Sequence, residues 1–175
     1  MTRLLKVLEV PAPELREKAA DIDVVDDVVR QTLDDMLATM YAHNGVGLAG
    51  NQVGILKRLI VIDAAGEDEP SRPYKLVNPR IVVRSAEMIH HNEGCLSVPK
   101  EYACVDRHVA VTVAYRDERG EDKTLAADGL LAIALQHELD HLDGKLFIDY
   151  LSSFKRARLL KHLEKRRQKE AEDAA

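Results

Sequence analysis

Between Asp26 and Ala42 the apolar residues fall at Val29, Leu33, Met36, Leu37 and Met40. Spacings of three and four put them on one face of an α-helix, and Asn44-Gly45 supplies a stop. The next segment, Gly45-Val46-Gly47-Leu48-Ala49-Gly50-Asn51-Gln52, is too rich in glycine for a helix and too regular for a linker. Beyond it the period shortens. Leu59 to Ile62 is a short apolar run, Lys75 to Asn78 and Ile81 to Met88 flank Pro79, and Val109, Val111, Val113 and Tyr115 alternate; all read as strands. Glu118-Arg119-Gly120 supplies a hairpin turn before a strand at Lys123 to Ala126. From Leu130 to Leu135 the chain is apolar on every side and runs on into His137-Glu138-Leu139-Asp140-His141. Asp128 is expected to cap this helix and Gly144 to end it. A helix with no polar face lies inside the molecule. A separate, highly charged helix is predicted from Ser153 onward. The order predicts an α+β fold: antiparallel sheets packed around a central buried helix, with an outer C-terminal helix.

Composition bounds this picture. The 175 residues suit one domain, with residues 1–152 as its body and 153–175 as a basic helical tail. A chain of this size buries roughly 70 % of its unfolded surface and needs no disulfides. Cys95 and Cys104 form no disulfide framework, the N-terminus lacks the apolar run of a secretory signal, and no stretch reaches the ~20 apolar residues of a membrane span. A soluble cytoplasmic protein is expected, with no membrane or DNA partner, acting as a monomer. A net charge of −5 gives no global attraction to nucleic acid. The tail is the exception: Phe154 to Lys169 holds eight Lys and Arg against the single acid Glu164. Such a run is a solvated helix face or a surface for RNA phosphates.

The chemistry centres on the buried helix. His137 and His141, four residues apart, share one helical face and can hold a metal between them, with Glu138 alongside as a base rather than a ligand. Two satisfied histidines on a helix is the bland alternative. However, burying two imidazoles, a glutamate and an aspartate is costly unless they are paired or metal-bound. A catalytic site of this kind needs a third protein ligand and an open position. Asp143, Asp149 and Glu164 lie downstream, and Cys95 lies upstream beside Gly94; a thiolate is a strong soft ligand. His43, His90, His91, His108 and His162 are expected at exposed positions and not as ligands.

Three segments in order resemble the peptide deformylase family: Gly45 to Gln52, then Glu93-Gly94-Cys95-Leu96-Ser97, then Gln136-His137-Glu138-Leu139-Asp140-His141. The likeness runs from about Leu5 to the start of the terminal helix. Two features depart from the family pattern: Gly50 and Asn51 stand where alanine and often proline are usual, and Tyr102 replaces an arginine of some bacterial members. The first bears on loop stiffness or pocket shape, the second on substrate preference.

The resemblance implies removal of the formyl group from the initiator methionine of nascent polypeptides, releasing formate. It implies Cys95, His137 and His141 as ligands of one divalent metal, ferrous iron as the native ion, with zinc, nickel or cobalt as alternatives. Metal-bound water is then the nucleophile and Glu138 the general acid and base. Gln52 and the backbone N–H of Leu96 would donate to the formyl oxygen. Substrate backbone would run along Val46, Gly47 and Gly94, and the methionine side chain would enter a pocket drawn from Leu130, Ile133 and Ala134. The basic tail would contact the ribosome. Rival readings are a metallopeptidase with a carboxylate or histidine third ligand, a non-catalytic ribosome-binding paralogue, and a protein with a closed structural metal site.

Overall fold

The computed structural model describes all 175 residues. In chain order the elements are α1 (Asp27–Ala42), β1 (Gly47–Ala49), β2 (Leu59–Ile62), β3 (Tyr74–Arg84), β4 (Met88–Cys95), β5 (Val98–His108), β6 (Ala110–Arg116), β7 (Asp122–Asp128), α2 (Gly129–Leu142) and α3 (Ser153–Asp173), with short 3₁₀ turns between them. A five-stranded antiparallel sheet has the order β1-β2-β3-β6-β7, and β4 and β5 form a separate hairpin.

Each helix is placed by its apolar positions. On α1, Leu33, Met36 and Met40 pack against Leu48, Leu59, Val61 and Val77 on one face of the sheet. On α2, Ala132, Leu135, Leu139 and Leu142 pack against Ile60, Ile62, Leu76, Val111 and Val113 on the other. Strand β2 lies between the two helices, which is why all four of its residues are apolar and buried and why its sequence runs rather than alternates. The hairpin closes the far side of α2 over a third cluster, where Val98 and Val105 meet Phe147 and Ile148, with Leu159 and Leu163 from α3. The helix carrying His137 and His141 is therefore buried from Ala132 to Leu139, with only its first turn exposed, the α+β arrangement that the order of elements predicts.

Three local expectations are corrected. The segments either side of Pro79 form one eleven-residue strand whose register shifts between Val77 and Arg80. Proline offers no N–H to a ladder; Asn78 takes a left-handed φ of 50°, and its side chain holds both Ile22 N and Ile22 O. That strand ends at Arg84, so Met88 opens the next one. Asp128 precedes α2 but makes no side-chain capping bond, unlike Asp26, which accepts from Val29 N at 2.9 Å. Gly144 does follow the end of α2, at a φ of 75°.

At the end of β2, Asp63 organises the loop beside β1. Its backbone N–H bonds Val46 O at 2.8 Å. Its carboxylate accepts from Tyr41 OH, Ser71 OH and the N–H groups of Ala65 and Arg72. Burial opposes ionisation, but these donors outweigh it and lower the Asp63 pKa to about 2. A lowered carboxylate stabilises the fold above its ordinary pKa, and that stabilisation is lost as pH falls through the folded value. Asp63→Asn should therefore cost about 1–2 kcal/mol at pH 7 in urea unfolding. The difference from the parent protein should shrink below pH ~4 and go on falling through pH ~2; a difference constant across that range would contradict the assignment.

Candidate metal centre and cleft

His137 and His141 project one helical turn apart from α2, with their Nε2 atoms 3.2 Å apart. Cys95 comes from the end of β4, and its Sγ lies 3.3 Å from His141 Nε2. All three donor atoms fall within 4.8 Å of one another. Tetrahedral Zn-like geometry, with metal–N near 2.0–2.1 Å and metal–S near 2.3 Å, requires donor separations of about 3.3–3.5 Å. The distances involving His141 match this, and the donor set of one thiol and two imidazoles fits a first-row transition metal. Of the three ligand candidates that are carboxylates, Asp149 is committed to Arg16 and Leu146 N, Asp143 to Arg58, and Glu164 sits on α3. None joins this cluster.

Behind His137 lies a buried ionic network. Glu93 Oε2 faces His137 Nδ1 at 2.8 Å. Arg107 grips Glu93 with two bonds, Nε to Oε1 at 2.6 Å and a terminal nitrogen to Oε2 at 3.0 Å. Its other terminal nitrogen reaches Asp140 at 2.6 Å, and Asp140 also accepts from Tyr150 OH at 2.8 Å. Burial works against the Glu93 charge, yet the Arg107 bonds and His137 hold its pKa at about 2. With the carboxylate ionised, His137 Nδ1 carries the proton and Nε2 is turned towards the donor triangle. This is the outer-shell arrangement that orients a ligating imidazole. The two imidazoles shift in opposite directions. For His137, burial is outweighed by Cys95 and Glu93, which raise it; His141 is lowered by burial and then by the neighbouring cations.

Glu138, one residue on, turns into the adjoining cleft. It is buried, its Oε2 has no hydrogen-bond partner, and burial pushes its pKa up to about 7. Gly47 makes room for it: a Cβ there would stand 2.6 Å from Glu138 Oε1. Gln52 is aimed by its own loop, its Oε1 accepting from Ala49 N at 2.9 Å. Its Nε2 then points to Cys95 Sγ at 3.6 Å and Ser97 Oγ at 3.2 Å.

The cleft, about 640 Å³, is lined by Val46, Gly47, Gln52, Gly94, Cys95, Leu96, Leu130, Ile133, Ala134, His137 and Glu138 among others. Every expected site residue lines this cleft except His141, which is fully buried and joins the site through its contacts with Cys95 and His137. Ala134 also belongs to the central core, whereas Ile133 is buried yet joins none of the three apolar clusters, and Leu130 is exposed. Gly50 and Asn51 do not line the cleft. A Cβ at Gly50 would meet the carbonyl oxygens of Ile55 and Lys57 at 2.5 and 2.6 Å, and buried Asn51 donates to Glu17 O at 2.6 Å. Their departure from the family pattern bears on how the loop is backed. Arg107 was not legible as a site residue. It lies on β5 four residues beyond Ala103, the register partner of Glu93, in a stretch whose pairing the sequence did not reveal.

A family model described as polypeptide deformylase matches residues 4–157. A peptide deformylase of Pseudoalteromonas translucida is 53% identical over 161 residues, covering 92% of this chain and 95% of that protein. Among solved structures, peptide deformylase from Ehrlichia chaffeensis in complex with actinonin aligns with a TM-score of 0.90 at 39% identity, covering 95% of this chain and 98% of that one. A Met-Ala-Ser-bound class I type b peptide deformylase from Acinetobacter baumannii aligns with a TM-score of 0.81 at 36% identity, covering 86% and 100%.

The donor geometry predicts the metal content of variants. Cys95→Ala or His141→Ala, purified without oxygen, should hold less than about a tenth of the parent's metal by elemental analysis, while Glu164→Ala holds the full amount. A Cys95→Ala protein that keeps a full equivalent would pass the third position to another ligand.

Proposed function

This chain belongs to the peptide deformylase family and is a metal-dependent deformylase of formylmethionyl nascent peptides, and we propose that it works through one divalent ion held by Cys95, His137 and His141, with Glu138 as proton carrier. The observation that carries this reading is the convergence of a strand-borne thiol and two helical imidazoles at the wall of a cleft, beside a buried carboxylate with a free oxygen. When bound, the metal supplies a Lewis acid that polarises the formyl carbonyl and lowers the pKa of water from ~15.7 towards ~7.

The residues do the rest. Strand β1 is an edge of the five-stranded sheet, so an extended peptide can add its backbone along Val46 and Gly47, with Gly94 opposite. Leu130, Ile133 and Ala134 offer the methionine side chain an apolar wall. These contacts set the formyl carbon near Glu138. Glu138 Oε2, buried and without a hydrogen-bond partner, takes a proton from the attacking water and returns it to the amine as the C–N bond breaks, leaving formate and a free N-terminus. Gln52 Nε2 and the Leu96 N–H donate to the formyl oxygen as it gains charge.

Iron(II) is the proposed native ion, with zinc, nickel or cobalt able to occupy the same donors. Action as a monomer belongs to the same proposal. No helix is long and apolar enough to cross a membrane; the proposed setting is the cytoplasm, where formylated chains emerge. Contact with the ribosome through the basic α3 belongs to the same reading. The outer helix is nevertheless part of the fold, because Leu159 and Leu163 are core residues, so its role is tested by changing its charges and not by removing it.

Formate release from formyl-Met-Ala-Ser, measured with anaerobically purified protein, tests the scheme. Glu138→Gln should keep its metal and lose nearly all turnover. Gln52→Leu should keep its metal and lose about 10²–10³-fold in kcat. Activity undiminished in metal-replete Glu138→Gln would contradict the proton-carrier role, and loss of metal from it would make Glu138 a ligand.

A further inference from the structure

The basic residues of α3 fall into two sets. One set is tied to the mouth of the cleft. Arg166 pairs with Glu101 and donates to Pro99 O, Arg167 pairs with Glu9 and donates to Val10 O, and Glu170 pairs with Lys100. Glu9, Pro99, Lys100 and Glu101 all line the cleft. His162 adds a second contact to Glu101, and Arg156 stands 3.9 Å from Asp149. The other set, Lys155, Arg158, Lys161, Lys165 and Lys169, makes no ion pair.

Four of these five free cations stand together. Lys155, Arg158, Lys161 and Lys165 line a groove of about 520 Å³ between α3 and β5, whose other side is Tyr102, Ala103 and Leu151. The groove and the cleft share Glu101 and Tyr102 as common walls. The one acid in it, Glu101, is already engaged by Arg166 and His162. Tyr102 is 66% exposed, and its ring lies over Gly94, where a Cβ would come within 2.5 Å of Cε1. The aromatic ring thus sits at the point where the cleft opens into the groove.

We propose that this groove receives the part of the nascent peptide that follows its first three residues, and that it favours substrates with acidic side chains there. This rests on the deformylase reading of the cleft and adds a substrate class to it. The occupant follows from continuity and charge. A chain lying along β1 and Gly94 leaves the cleft past Tyr102, and the groove it then meets carries four cations with no acid left to answer them. From Lys155 to Lys165 the helix rises about 15 Å, the reach of roughly four to five extended residues. Tyr102 gives the turning backbone a flat apolar surface, while the lysine and arginine heads stay in water, where they attract without a large desolvation cost.

The test uses intact metal-loaded protein and formyl-Met-Ala-Ser peptides extended by four Glu, four Gln or four Lys residues. In low salt, kcat/KM should follow Glu over Gln over Lys. The Glu-to-Lys span should be about tenfold, carried by KM and not kcat, and it should collapse in 0.5 M salt as the charges are screened. A protein carrying K155E, R158E, K161E and K165E should invert the order, while formyl-Met-Ala-Ser itself, too short to reach the groove, is processed as by the parent. Equal kcat/KM for the three extensions, or an order unchanged by the charge reversal, overturns the proposal. If the reversed protein instead loses only its cosedimentation with ribosomes and keeps the same peptide order, the groove is an RNA surface and the proposal also falls. Failure of both proteins on formyl-Met-Ala-Ser would count against the deformylase reading itself.

Discussion

The ion pair between Glu93 and Arg107 holds the rest together. Both side chains are about 3–4% exposed, and taking two charges out of water carries a large penalty that only close geometry and further bonds offset. Here the further bonds are what matter. Glu93 leaves β4 to meet His137, Arg107 leaves β5 to meet Asp140, and His137 and Asp140 are three residues apart on α2. One buried network therefore pins the hairpin to the helix and fixes the imidazole that faces the donor triangle. Cys95, two residues beyond Glu93, is carried to His141 by the same contact. Folding and site assembly are in this respect one event.

How much of this could be read beforehand depended on how each element is buried. The helix α1 and the strand β6 each expose one face, so their apolar period was plain. Strand β2, and helix α2 beyond its first turn, are buried, and their unbroken apolar runs said so. The β4–β5 hairpin was not legible, because its inner face mixes buried Glu93, Glu101 and Arg107 with Val98 and Val105. A polar stretch such as His90-His91-Asn92-Glu93 has no apolar period to detect. The uninterrupted β3 was hidden for another reason: Pro79 normally argues against an interior strand, and only the left-handed Asn78 and its bonds to Ile22 allow the strand to pass.

The site divides similarly. His137, Glu138 and His141 were visible because a helix makes sequence spacing equal to spatial spacing. Cys95 and Gln52 lie 42 or more positions before His137 and became legible only through the motifs around them. Val46, Gly47, Gly94 and Leu130 followed from the same likeness. Arg107 and the backing of the Gln52 loop by Asn51 required coordinates, since each acts through a partner distant in sequence. The C-terminal helix was read as a basic run serving as a solvated face or a surface for RNA phosphates; the structure divides its cations into those that fasten the mouth of the cleft and those that remain free.

The central claim is that this network orients one thiolate and two imidazoles around a single metal ion. X-ray absorption at the metal edge of anaerobically purified protein addresses it without reference to turnover. The account predicts one sulfur scatterer near 2.3 Å and two nitrogen scatterers near 2.0–2.1 Å, with the sulfur contribution missing in Cys95→Ser. A parent spectrum fitted by nitrogen and oxygen alone would contradict it.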